Sequence, residues 1–155
     1  MINNLGPLVS GRMHAYTIHI PAALNVSNII LSSTQNSATF TAGQNLVGLY
    51  QGNALIASSA DLTATWQGAG AIQLSCPLVG APVSVSAGLV TVALLANFSA
   101  GNFTVGAWSP ALTFMNTGLS APNLRNMIQT GLTSLPANLN STTGTVTVPF
   151  AVLSS

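Results

Sequence analysis

The sequence predicts an all-β fold, an antiparallel β-sandwich of jelly-roll type. Short segments rich in Val, Ile, Leu and Thr alternate with clusters of Gly, Pro, Asn and Ser, which is the pattern of strands separated by turns. Eight such segments are present, and eight strands suit two packed sheets. The predicted strands are 12–20, 26–32, 46–51, 54–58, 71–76, 89–96, 102–106 and 145–152.

The clearest local signal is a β-hairpin centred on Gly52 and Asn53. The segments LVGLYQ and ALIAS flank these two residues directly. Glycine at the first central position favours a two-residue type II′ turn, which needs a positive φ at that residue.

One segment departs from the β pattern and predicts a short helix near 121–130. Ser120 can cap this helix, Pro122 suits its first turn and Gly131 would end it. Leu124, Met127 and Ile128 would share its apolar face. Arg125 would project away from that face.

The length of 155 residues predicts one domain over 1–155, since a chain of this size can bury a substantial core. The N-terminal segment 1–11, MINNLGPLVSG, forms either an extended docking arm or a frayed end.

Ionisable side chains are almost absent from the chain. Arg12, Arg125 and Asp61 are its charged residues at neutral pH; they make up 2% of the sequence, which has no lysine or glutamate. Neutralising a run of phosphates needs several cations, so nucleic acid is not a predicted partner. A net charge of +1 gives a free monomer little colloidal protection. The composition therefore favours a protein held in an assembly.

The apolar segments do not predict a membrane span or a secreted protein. The longest one, Leu89–Ala96, has eight residues, whereas a spanning helix needs about 20. The N-terminus lacks a basic start followed by an apolar run, so no secretion signal is expected. Cys76 is the sole cysteine, which rules out an intramolecular disulfide. We expect it to be a small core residue.

The residue inventory predicts that the chain is not an enzyme and has no catalytic residue, metal site or cofactor. Asp61 is the sole carboxylate side chain, which excludes the paired carboxylates of glycoside hydrolysis. The serine nucleophile motif G-x-S-x-G is missing. His14 and His19 lie five residues apart on a predicted strand, so they point to opposite faces and cannot bind one ion within it.

Asp61 and the aromatic residues leave two interpretations open. Asp61 is either a ligand-binding acid near Trp66 or a loop carboxylate that accepts hydrogen bonds from backbone amides, and the second is favoured. Trp66, Trp108, Tyr16 and Tyr50 could line a sugar-binding platform, although a sandwich core also requires such residues. The core is favoured, which leaves Trp108 and Trp66 as the candidates for ligand contact, with Trp108 the better one at its strand end.

A family resemblance extends from about His14 to Leu153. The run FTAGQNLVGLYQGNALIASSADLTATWQGAGAIQLSCPL resembles a β-domain of minor tail and other virion proteins of phages that infect actinobacteria. In that domain a segment of the form TAGQN, apolar residues, GLY, turn, LLA, SAD and then W precedes an apolar strand. The later runs VTVALLANFSAGNFTVGAW and LTSLPANLNSTTGTVTVPFAVLSS are similar to its strand, LP turn and closing strand.

The resemblance implies a bacteriophage structural protein on the surface of the virion, a β-sandwich that assembles as a homotrimer. In tail proteins this domain follows a much longer chain, whereas here it stands alone. We therefore expect a capsid decoration protein that stabilises the particle by docking on the major capsid protein. The alternative is a minor tail or fibre module that binds a host-surface glycan, and a free carbohydrate-binding module is more remote.

Overall fold

The computed structural model describes residues 3–4, 8–70, 72–108, 124–140, 143–144, 148–149 and 151–155. Within these ranges the chain is built of short strands and one single-turn helix, α1 (Thr63–Trp66). The strands are β1 (Asn3–Asn4), β2 (Arg12–Ile20), β3 (Leu24–Val26), β4 (Asn28–Asn36), β5 (Thr39–Phe40), β6 (Leu46–Gln51), β7 (Ala54–Ser58), β8 (Gln73–Pro77), β9 (Val83–Val85), β10 (Gly88–Ala96), β11 (Phe98–Ala100), β12 (Phe103–Trp108), β13 (Asn126–Thr130), β14 (Thr143–Gly144), β15 (Val148–Pro149) and β16 (Ala151–Ser154).

Two six-stranded antiparallel sheets form the sandwich, which confirms the predicted fold class. The first sheet has the order β1-β12-β4-β16, with β15 paired to β12 and β8 paired to β4. The second sheet has the order β14-β13-β2-β10-β6-β7. Two short ribbons, β11-β5 and β3-β9, complete the described structure.

The core lies between the sheets and follows the alternation of side chains along each strand. On β10, Val90, Val92 and Leu94 belong to the main core cluster. The intervening Ala93 and Leu95 belong to a second cluster on the other face of the same sheet. Both faces of β10 are therefore buried, as expected for a continuous apolar run in a central strand.

The segment 131–140, which follows β13, covers the outer face of the second sheet with Leu132, Leu135 and Leu139. We call this segment the cover. Ala15, Ala93 and Gly48 lie opposite one another on β2, β10 and β6 and leave a shallow channel of small residues. A Cβ atom on Gly48 would lie only 2.6 Å from Cδ1 of Leu135. The Tyr50 hydroxyl donates to the carbonyl of Pro136 at 2.8 Å, which fixes the cover over the channel.

The predicted helix near 121–130 is wrong over the residues that the structure describes. Asn126–Thr130 instead form β13, which pairs with β2 so that Met127 lies opposite Ala15. Met127 is buried in the second core cluster, and this tertiary pairing outweighs the local capping signals. The remainder of the predicted helix, 121–123, lies outside the described residues. The observed helix α1 was not predicted.

The hairpin prediction is confirmed. β6 and β7 end and begin on either side of Gly52-Asn53. Gly52 has φ of 60°, and no residue other than glycine has positive φ among those described. A positive φ at the first central residue alone is the signature of a type II′ turn.

The N-terminal residues that the structure describes pack on the sandwich. Asn3 and Asn4 pair with β12, and the amide of Leu8 donates to the carbonyl of Phe103 at 2.8 Å. Leu8 is also buried in the main core. A docking arm formed by 1–11 stays a prediction.

Candidate functional site

The chemistry-bearing residues singled out in the sequence do not converge. His14 is buried, whereas His19 on the same strand is exposed, so the two imidazoles occupy opposite faces of β2 as predicted. Asp61 lies in the exposed loop between β7 and α1. Across the described residues, no group of three or more His, Cys, Asp or Glu side chains could hold a metal ion.

Asp61 serves as a hydrogen-bond acceptor that joins two loops. Its Oδ1 accepts from the amide of Asn45 at 3.2 Å and from the hydroxyl of Thr63 at 3.0 Å. Partial burial opposes ionisation, but hydrogen bonds from Gly43, Asn45 and Thr63 outweigh it and lower the pKa of the Asp61 carboxyl. Its partners fit the favoured interpretation of a loop carboxylate bound by backbone amides.

Asn45 is the centre of this arrangement and is fully buried. Its Nδ2 donates to the carbonyl of Thr41 at 2.7 Å and to the hydroxyl of Thr63 at 2.8 Å. Its Oδ1 accepts from the amide of Asn97 at 2.9 Å. One side chain therefore satisfies polar groups from three separate segments.

Asn97 extends the network to the cover of the second sheet. Its Nδ2 donates to the carbonyl of Gln44 at 3.2 Å and to the carbonyl of Leu132 at 3.0 Å. We call Asn45, Asp61, Thr63 and Asn97 the polar hub. The hub ties together the loops at one end of the sandwich, and its side chains are used internally.

Trp66 belongs to an aromatic cluster next to the hub. It is fully buried, and its ring centroid lies 5.8 Å from that of Phe40 and 5.1 Å from that of Phe103. Phe98 also packs on Phe40, edge to face. A ligand cannot stack on Trp66 in this fold, because Trp66 is part of the core.

The loop segments around the cluster are held by side-chain amides. Asn36 donates from Nδ2 to the carbonyl of Trp66. Gln67 donates from Nε2 to the carbonyl of Ala38 at 3.0 Å and accepts from the amide of Phe40 at 3.2 Å. These bonds join the end of α1 to the segment that runs from β4 to β5, and they satisfy backbone groups there.

Trp108 stays a prediction as a ligand-contacting residue. Its backbone closes β12 and pairs with Val148, and its side chain lies outside the described part of the structure. Tyr16 and Tyr50 are buried, and burial raises the pKa of both phenols. Neither tyrosine is available for a sugar-binding platform.

Cys76 is a core residue, as predicted. Its side chain is fully buried. Burial raises the pKa of the thiol to about 11, and the indole of Trp66 offsets only part of this shift. A buried thiol with a raised pKa is a poor nucleophile and a poor metal ligand.

The outer face of the first sheet is the surface that sequence reasoning missed. In the cross-strand rows of β16, β4 and β8, Val152 lies opposite Ile30, which lies opposite Ser75. Val152 is 45% exposed. The face consists of Asn28, Ile30, Ser32, Thr34, Gln73, Ser75, Pro77, Val152 and Ser154. None of these side chains is ionisable. Their composition was visible in the sequence, but the strand pairing that gathers them was not.

The chain is an all-β sandwich protein. The side chains of its polar hub form hydrogen bonds to other parts of the same chain. Of the residues that carry the resemblance noted in the sequence, Gly43–Asn45, Ser59–Asp61 and Trp66 lie in or beside the polar hub and the aromatic cluster, whereas Gly48–Tyr50 lie on β6. Comparisons with known protein families, curated proteins and solved structures find no match for this chain. Among the described residues, no helix has the length and apolar character needed to cross a membrane.

Proposed function

We propose that this chain is a non-enzymatic structural protein of a bacteriophage virion, a homotrimeric decoration protein that docks on the major capsid protein. The observation that carries the proposal is the uncharged outer face of the first sheet. The sequence resemblance to virion β-domains gives the proposal its biological setting.

An uncharged outer face favours docking because its desolvation costs little free energy. Neutral amides and hydroxyls cost much less to transfer from water into an interface than ions do. The outer face offers such groups together with the apolar side chains of Val152, Ile30 and Pro77. The Ser75 hydroxyl already donates to Oδ1 of Asn28 at 3.2 Å, which satisfies part of the face internally. A surface of this kind binds by packing and neutral hydrogen bonds.

The binding mode has a consequence for salt dependence. Exposed ion pairs weaken as salt screens them, whereas packing and neutral hydrogen bonds are affected little. We expect the recombinant chain to bind purified particles equally at low and high ionic strength. In sedimentation we expect a trimer at both salt concentrations, because closed symmetry buries matching surfaces without leaving a growing edge.

Charge-introducing variants test the face directly. Gln73→Lys and Val152→Lys place a cation on exposed positions of the outer face, and Ser134→Lys places one on the exposed cover of the second sheet. We expect the first two variants to lose particle binding and the third to retain it, with all three equally stable. Equal binding by all three variants would rule out this face as the docking surface.

Copy number separates the capsid role from the tail role. A decoration protein gives a band comparable in intensity with the capsid protein on a gel of purified particles, whereas a tail or fibre module gives a minor band. Glycan binding that is abolished by Trp108→Ala would favour the tail module and count against the decoration protein.

A further inference from the structure

His14 is an ionisable side chain enclosed by the sandwich. It lies on β2 opposite Leu94 of β10 and Ile128 of β13, on the face that carries the core residues Tyr16 and Ile20. Only 7% of its surface is exposed. Neither imidazole nitrogen has a hydrogen-bond partner among the described residues.

The positive charge of Arg12 lies near His14 and disfavours a second cation there. Arg12 and Tyr16 share its face of β2, two residues away on either side. The Nε atom of Arg12 also has no hydrogen-bond partner within the described structure. Among the described elements, β10, β13 and β15 pack most extensively on β2, and their sequences contain no ionisable side chain.

No carboxylate side chain is available as a partner for a protonated His14. Asp61 is the sole carboxylate side chain of the whole sequence, and it is hydrogen-bonded to Asn45 and Thr63 in the polar hub. The segments outside the described ranges contain neither Asp nor Glu. A buried cation without a partner is strongly destabilising.

We propose that His14 is an acid-sensitive switch in the core. Its neutral imidazole keeps the two sheets packed together, and its protonation loosens the β2–β13 side of the sandwich. Burial, and secondarily the charge of Arg12, lower the pKa of His14 to about 4. In the unfolded chain the His14 imidazole takes up a proton near pH 6.5, so the folded state loses stability as the pH falls from that value. This behaviour belongs to the fold itself and does not require the virion role.

The test is equilibrium unfolding of the purified chain in urea at fixed protein concentration, at pH 7.5 and at pH 5. For the wild type, the ratio of folded to unfolded chain should fall by about 30-fold between these two values. His14→Leu should remove most of this dependence. His19→Leu is the matched control on the exposed face of the same strand and should behave as the wild type does.

A second measurement keeps the proposal testable if His14→Leu does not fold. In the wild type, NMR of ¹⁵N-labelled histidine should show the His14 imidazole neutral at pH 5 while the fold is intact. Two outcomes would overturn the proposal: a His14 imidazole that protonates near pH 6.5 within the folded state, or a His14→Leu variant whose stability falls with pH as steeply as that of the wild type.

Discussion

Asn45 is the residue on which the loop end of the sandwich most depends. Asn45→Ala removes two donated hydrogen bonds, at 2.7 and 2.8 Å, and one accepted bond at 2.9 Å. The buried amide of Asn97 then has no acceptor, and a buried polar group left without a partner costs about 1–3 kcal/mol. Thr41 and Thr63 are half-buried, so each lost bond costs about 1 kcal/mol there. We expect the free energy of unfolding to fall by about 3–5 kcal/mol.

The assay is urea unfolding followed by tryptophan fluorescence, to which the buried Trp66 contributes. Asn138→Ala is the control, because Asn138 is exposed and such substitutions change stability by less than about 0.5 kcal/mol. If Asn45→Ala does not fold, Thr63→Val removes one acceptor of the same amide and one donor to Asp61, and it should cost about 1–2 kcal/mol. A loss below about 1 kcal/mol for Asn45→Ala would refute the central role of the hub.

Three further predictions concern the backbone, the acid response and the core thiol. Gly101→Ala should lower the free energy of unfolding by more than about 3 kcal/mol, since its Cβ would lie 2.1 Å from the carbonyl oxygen of Ser37. Gly68 has a similar φ but open space around it, so Gly68→Ala is the control and should cost about 1–2 kcal/mol. Thermal unfolding of both variants measures the difference. The pKa of Asp61 is lowered in the fold, so its contribution to stability is present above pH 3.8 and is lost as the pH falls below that value. Asp61→Asn should therefore reduce the dependence of the free energy of unfolding on pH in that range. An unchanged dependence would contradict the hydrogen bonds assigned to Asp61. Cys76 should react with a thiol reagent only as fast as the chain unfolds, and rapid reaction of the native protein would show that its site is open.

The strands could be predicted well where the sequence carries its own periodicity. The observed bounds of β2, β6 and β7 match the predicted 12–20, 46–51 and 54–58, because glycine, proline, asparagine or serine flanks each run. The turn at Gly52 followed from local backbone preference alone. In each case the information is contained in a few neighbouring residues.

Elements that depend on distant partners could not be predicted. Asn126–Thr130 carry a helical apolar spacing, yet they complete the second sheet because β2 offers an unpaired edge beside them. Short strands such as β5 and β9 exist only through pairing with β11 and β3. The helix α1 has no side-chain cap at Leu62, so the sequence contained no signal for it.

The site shows the same division. The opposite faces of His14 and His19 follow from strand geometry and were predicted. The pairing of Asn45 with Asn97, 52 residues apart, depends on how the loops meet in space. The hydrogen-bond partners of Asp61 and the ring partners of Trp66 were likewise visible only in the folded chain.

The docking of this chain on the capsid is tested most directly by an electron cryo-microscopy map of purified particles. We predict density for this sandwich in threefold groups on the capsid, with the outer face of the first sheet against the major capsid protein. Particles that lack the protein, or density confined to the tail tip, would contradict it.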